Sequence, residues 1–238
     1  MSRAPLEVFS DSATLADGVA AWLTGLAKAK IGPFAVCLSG GSTPKRLYQR
    51  LASAGYRDRF PWPRAQWFWG DERFVPPGDQ LSNFRMVREA MLAHAPIPPE
   101  NIHSVPTTGL TPEAAATAYE KTLQSFYGAR RLEPGRPLFD VTLLGLGPDG
   151  HTASLFPGDG ALKERERWVV AVIGAKAEAR ISLTYPALES SADIAFLVEG
   201  AEKRDVFTRL RAGDPGLPAG QLHSQGRLHF FADSAAVD

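Results

Sequence analysis

The chain has 238 residues, 44% hydrophobic and 22% charged, which is ordinary globular composition with room for one large domain or two small ones. Its 26 Lys and Arg offset 26 Asp and Glu, so no overall basic field is available for a nucleic acid or an anionic membrane. One cysteine, Cys37, excludes an internal disulfide framework, the N-terminal stretch lacks a signal-peptide core, and no run nears the ~20 apolar residues of a membrane span; a cytoplasmic protein is expected.

Leu6 to Phe9 is a strand candidate. Asp11 or Ser12 can cap the helix that follows, because a side-chain oxygen there accepts from free backbone N–H groups. Leu15, Val19, Trp22, Leu23 and Leu26 recur at helical spacing until Gly32-Pro33. Phe34 to Leu38 has no polar residue and reads as a buried strand. Ser39-Gly-Gly-Ser-Thr43 then turns into a helix with Pro44 in its first turn, running to Leu51. A strand, glycine turn and helix in that order point backbone N–H groups, the helix dipole and the Ser42 and Thr43 hydroxyls at whatever sits above. On turn chemistry alone, an anion site and an ordinary Ser/Thr-capped turn have equal weight.

Trp67 to Trp69 is a third strand, ending in Gly70-Asp-Glu-Arg73. Charges at a strand's C-terminal end are either loop solvation or site residues. Arg73 stands out because a guanidinium holds phosphate or a developing oxyanion. A helix is predicted over 83–94, with Asn83 near its start, as a simple cap in the plainer reading. A weak strand, Ile102 to Val105, and a helix from Thr111-Pro112 to about Tyr127 follow. Val141 to Leu144 is a short apolar run that breaks into Gly145, Gly147, Asp149, Gly150 and His151. Later strands are expected over 168–173, 180–185, 194–198 and 228–231, with a helix over 201–210. Alternating helices and strands imply a mainly parallel sheet with helices on both faces, and no linker divides the chain.

Gly145 to Gly150 matches G-x-G-x-x-G after a strand. A dinucleotide site also needs a long helix directly after the third glycine. Pro157-Gly158 comes too soon for one. His151 is the informative residue. A lone histidine is usually structural, as His94, His103, His223 and His229 illustrate. His151 differs in its exposing glycine turn and in Asp149 two residues earlier. An imidazole can take a proton from water near neutral pH. No metal-ligand spacing and no G-x-S-x-G elbow is present, so a catalytic His151 would act on water directly.

Three segments, LSGGSTPKRLY, WFWGDERFVP with SNFRM, and LLGLGPDGHTASLFPG, resemble the 6-phosphogluconolactonase family, and RISLTYPAL is similar to a fourth. The resemblance implies one α/β/α domain of modified Rossmann type over 1–238. It implies hydrolysis of 6-phosphogluconolactone, in the oxidative pentose phosphate pathway, without cofactor or metal. By position, Gly40, Gly41, Ser42 and Thr43 would hold the 6-phosphate, with charge from Arg180 and Lys176. His151, with Asp149 beside it, would be the general base, Arg73 would meet the developing negative charge, and Asn83 would line the pocket. The run GAKAEAR departs from the Pro-rich family pattern around Lys176. The only partner expected is the small sugar-phosphate lactone, bound by a monomer or weak homodimer. Two rivals are a hexosamine-6-phosphate deaminase, disfavoured because Ser154-Leu155-Phe156 stands in place of Asn-Glu-Pro, and a non-catalytic sugar-phosphate sensor.

Overall fold

The computed structural model describes residues 4–237. Strand β1 (Leu6–Phe9) leads into α1 (Ser12–Ala29). Asp11 is its N-cap, with a reciprocal capping box to Thr14. Then come β2 (Phe34–Leu38), α2 (Ser42–Leu51), α3 (Ala54–Arg57), β3 (Ala65–Trp69), β4 (Asp71–Arg73), α4 (Asn83–Val87), β5 (Ile102–His103) and α5 (Pro112–Tyr127). The second half adds β6 (Phe139–Leu144), β7 (Val169–Val172), β8 (Arg180–Leu183), α6 (Tyr185–Glu189), β9 (Ser191–Val198), α7 (Arg204–Arg211) and β10 (Arg227–Asp233).

Seven strands form one sheet in the order β1-β10-β9-β6-β2-β3-β5, and every pairing in it is parallel. Helices flank this sheet in an α/β/α arrangement. Such a sheet is buried on both faces, which is why β2 and most of β6 and β9 carry no exposed residue. From β2 the chain builds outward to β3 and β5, then returns to β6 on the other side. The crevice above the C-terminal ends of β2 and β6 is therefore the topological switch point, where open α/β sheets bind ligands.

Three expectations are corrected. The strands expected over 168–173 and 180–185 do not join the main sheet. With β4, whose sequence reads only as a charged strand end, they form a separate antiparallel sheet, β4-β8-β7, against α5. The links explain it. One residue separates β3 from β4, and seven separate β7 from β8, whereas a parallel return needs a crossover of about a dozen residues. Gly70 is the junction, since its N–H bonds Leu38 in the main sheet and its carbonyl accepts from Leu183 in the small one. The helix expected over 83–94 is α only to Val87 and continues as a π-helical turn, Arg88–Leu92, with Ser82 rather than Asn83 as its cap. Pro186 opens a short helix, α6, that strand-like alternation had hidden.

Candidate active site

A cavity of about 380 Å³ opens at the switch point, within the usual range of small-molecule sites. Its walls come from the ends of β2, β3, β6 and β9 and from the small sheet.

The first wall is the turn after β2. Gly41, at φ 104, is the N-cap of α2, and no side chain caps this helix. Among the described residues no protein group accepts from the N–H groups of Gly41, Ser42 or Thr43, or pairs with the two hydroxyls. The Ser/Thr-capped alternative is thereby excluded. What remains is a row of open donors at a helix N-terminus, the arrangement that binds anions. Gly40 is required on steric grounds, because a Cβ there would lie 2.1 Å from Asn83 Oδ1. Tyr48 locks the turn to its helix. Its hydroxyl accepts from Ser39 N–H at 2.9 Å and donates to Ser39 C=O at 2.8 Å. Tyr119 clamps Trp69 at the end of β3 in the same way.

The small sheet supplies the positive charge. Arg73 on β4 and Arg180 on β8 are directly opposite in the antiparallel register, and both line the cavity. Each Nε is buried without a hydrogen-bond partner among the described residues. Arg180, 12% exposed in its side chain, has only a 3.5 Å contact to Glu178. Burial, then the neighbouring Arg73, push its guanidinium below the ordinary arginine value. Like charges directly opposed are unfavourable on their own; an anion between them removes the conflict. Below them Glu72, 2% exposed, accepts from the N–H groups of Arg73, Asn83 and Phe84 at 2.7–2.8 Å and from Ser82 Oγ at 3.2 Å. Burial pushes its carboxyl up from the ordinary value, and those backbone donors offset part of the rise. Glu72 thus ties Arg73 to the start of α4, where Asn83, 3% exposed, faces Gly40.

The third wall is the turn after β6. Gly147 N–H bonds the His151 carbonyl at 2.8 Å, closing a loop around Gly150 at φ 80. No helix follows Gly150, so the dinucleotide arrangement is absent here. His151 Nδ1 is hydrogen-bonded to Asp149 Oδ1, which also accepts from the His151 backbone N–H at 3.1 Å. Burial raises the Asp149 carboxyl, but the bonds from His151 outweigh it and hold it below its usual value. An ionised carboxylate on Nδ1 keeps the proton there and leaves Nε2 as the acceptor. Nε2 has no protein partner among the described residues. Ala153, at φ 48, is the one non-glycine described with positive φ. That strain is held by Thr152 Oγ1 on Gly145 C=O at 2.9 Å and by Ser154 Oγ on Asp71 at 2.6 Å.

The model of the family described as glucosamine-6-phosphate isomerases/6-phosphogluconolactonase matches residues 10–230. The chain is 42% identical over 209 residues to a 6-phosphogluconolactonase of Nostoc, covering 86% of this chain and 84% of that one. It is 36% identical to the Streptomyces coelicolor 6-phosphogluconolactonase, covering 100% and 95%. The solved 6-phosphogluconolactonase of Thermotoga maritima superposes with a TM-score of 0.83 at 30% identity, covering 97% and 99%. The chain belongs to this family.

Within the family frame, the cavity gathers Gly40, Gly41, Ser42, Thr43, Arg73, Asn83, His151, Lys176 and Arg180, and Asp149 stands behind the histidine. Lys176 lines the cavity next to Asp149. Its Nζ is 4.0 Å from Asp149 Oδ2 and 4.9 Å from the Phe156 ring centre, and that ring packs on His151 at 4.7 Å. Sequence reasoning missed Asp71, Ser154, Lys203 and Glu199, all cavity residues. Asp71 had a signal, as part of the same charged run as Arg73. Lys203 and Glu199 had one too, since they follow β9 as Arg73 follows β3. Ser154 had none. Among the described residues no three His, Cys, Asp or Glu side chains gather as a metal site, and no helix is long and apolar enough to cross a membrane.

Proposed function

We propose that this chain hydrolyses 6-phospho-D-glucono-1,5-lactone to 6-phosphogluconate, the lactonase step of the oxidative pentose phosphate pathway. The observation that carries the reading is His151: its Nδ1 is engaged by an ionised Asp149, and its free Nε2 belongs to a cavity that also holds open N–H donors and two arginines.

The phosphate is anchored by the Gly40–Thr43 turn and Arg180. Nε2 of His151 removes a proton from water as its oxygen attacks the lactone carbonyl. Arg73 faces the negative charge that grows on the carbonyl oxygen. The C1–O5 ring bond then breaks, and O5 receives the proton from the imidazolium, which Asp149 has stabilised meanwhile. A lactone is an activated ester, so one positioned base and one cation are sufficient help. Lys176, beside Asp149, acts on the dyad and not on the phosphate. The lone, buried Cys37 fits a reducing, cytoplasmic setting.

The test follows acid release from freshly prepared lactone against its spontaneous hydrolysis. His151→Ala is expected to lose about 10²–10⁴-fold in kcat, the usual contribution of a positioned base. It should bind 6-phosphogluconate as the parent does. Near-normal turnover in that variant would overturn the assignment.

A further inference from the structure

Two cavity residues have chemistry opposite to that of an anion site, Glu199, which is paired with Arg46, and Asp71. It is 8% exposed and lines the cavity. Its Oδ2 accepts from Ser154 Oγ at 2.6 Å, and Ser154, 1% exposed, is held by Ser182 Oγ on its backbone N–H at 3.1 Å. Its backbone carbonyl accepts from Asn83 Nδ2 at 3.0 Å. The carboxylate is therefore held at Oδ2 and its backbone at the carbonyl. Its Oδ1 accepts from no donor among the described residues, and the two arginines beside it turn an N–H group elsewhere, Arg73 Nη1 to Leu81 C=O and Arg180 Nη2 towards Glu178. That oxygen is not among the buried polar atoms left without a partner, so it keeps contact with the cavity solvent, which a ligand hydroxyl can replace. An ionised carboxylate only accepts hydrogen bonds, so it repels phosphate and takes a hydroxyl.

The position of Asp71 decides which part of a ligand it meets. Through Asn83 it adjoins Gly40 of the anion turn. Through Ser154 it adjoins the His151 loop. A sugar lactone held by phosphate at the first and attacked at C1 near the second passes Asp71 with its ring hydroxyls. We propose that Asp71 Oδ1 accepts a hydrogen bond from one ring hydroxyl of the bound aldonolactone phosphate and so selects the configuration of that carbon. This inference rests on the lactonase reading above.

The test is a panel of the parent lactone and its 2-, 3- and 4-deoxy analogues, made by oxidising the corresponding deoxyaldose 6-phosphates. Sites built to bond a substrate hydroxyl reject the analogue lacking it strongly. The wild-type chain is expected to lose about 100-fold in kcat/KM on one of the three analogues and far less on the other two. Asp71→Ala should lose a similar factor on the parent lactone, and little or nothing further on that one analogue, while Asp71→Asn, which keeps an acceptor oxygen, should lose less on the parent. Equal losses by the variants on all four lactones would reduce Asp71 to a structural role and overturn the proposal. If neither variant folds, the wild-type panel still decides, because the absence of one outstanding deoxy position overturns it as well. Failure of the lactonase reading looks different: the wild-type chain would not accelerate hydrolysis of the parent lactone at all.

Discussion

Gly147 offers a way to move the proposed base without touching it. A methyl group built on Gly147 would lie 2.0 Å from His151 Nδ1, 2.1 Å from Cε1 and 2.7 Å from Cγ. Ordinary contact begins near 3.4 Å, so in Gly147→Ala the ring must retreat by about 1.4 Å. The backbone accepts alanine, since Gly147 is not among the left-handed glycines, and its bonds to His151 C=O and from Gly150 N–H do not involve the α-hydrogen. The ring also has somewhere to go, being 26% exposed. The expected result is a folded chain with a displaced imidazole. A misplacement of ~1 Å at a reacting group costs about 100-fold in rate, so kcat should fall by about that factor. KM should stay within about threefold, because the phosphate anchor is untouched. The melting temperature should drop by no more than about 4 °C, the equivalent of about 1 kcal/mol in a chain of this size. Initial rates of acid release measure the first two and calorimetry the third. Gly25→Ala, in open space on α1, is the control and should leave kinetics unchanged. A Gly147→Ala enzyme with parental kcat would refute the argument that His151 geometry sets the rate.

Glu72→Gln replaces a carboxylate oxygen that accepts two donors with an amide group that accepts none. A loss of about 2 kcal/mol is expected for the donors left unmatched, read as a fall of about 4–8 °C in melting temperature. Because burial raises the Glu72 carboxyl from its ordinary 4.5, the folded chain holds that proton more tightly than the unfolded one. Parental stability from this group then declines as pH rises from 4.5 through the raised value. The gap between parent and Glu72→Gln should be widest below pH 4.5 and narrow above it; a gap that widens with pH would contradict the sign. Lys176→Met should lower kcat by no more than about fivefold, as for loss of an exposed ion pair, and leave KM within about twofold. A tenfold rise in KM would return Lys176 to the phosphate.

The elements that turned out as expected are those whose signal is local. An unbroken apolar run must be buried on both faces, so Phe34–Leu38 could only be an interior strand, and Val141–Leu144 is one as well, its single polar residue, Thr142, being paired with Ser191. A glycine turn after such a strand, followed by Pro44 in a first helical turn, is settled by backbone sterics within a few residues. The early Pro157-Gly158 break was likewise enough to deny the glycine motif its helix. The small antiparallel sheet was half legible: its short links forbid parallel crossovers, but nothing local says which strand pairs with which.

What the chain's own order determined, then, is the set of pieces: a turn with free N–H groups, a histidine on a glycine loop, and arginines at strand ends. Tertiary structure alone decided how they meet. Arg73 and Arg180 face each other only because β4 and β8 share a register. Ser154 reaches Asp71 across 83 positions. Lys176 joins Asp149 because a seven-residue hairpin loop falls back over Phe156. Side-chain electrostatics act through space at a few ångströms, while sequence patterns record neighbours along a helix or strand. A site assembled from five chain segments at a sheet's switch point is therefore visible in sequence as separate candidates, and becomes one site only when the sheet closes the distances between them.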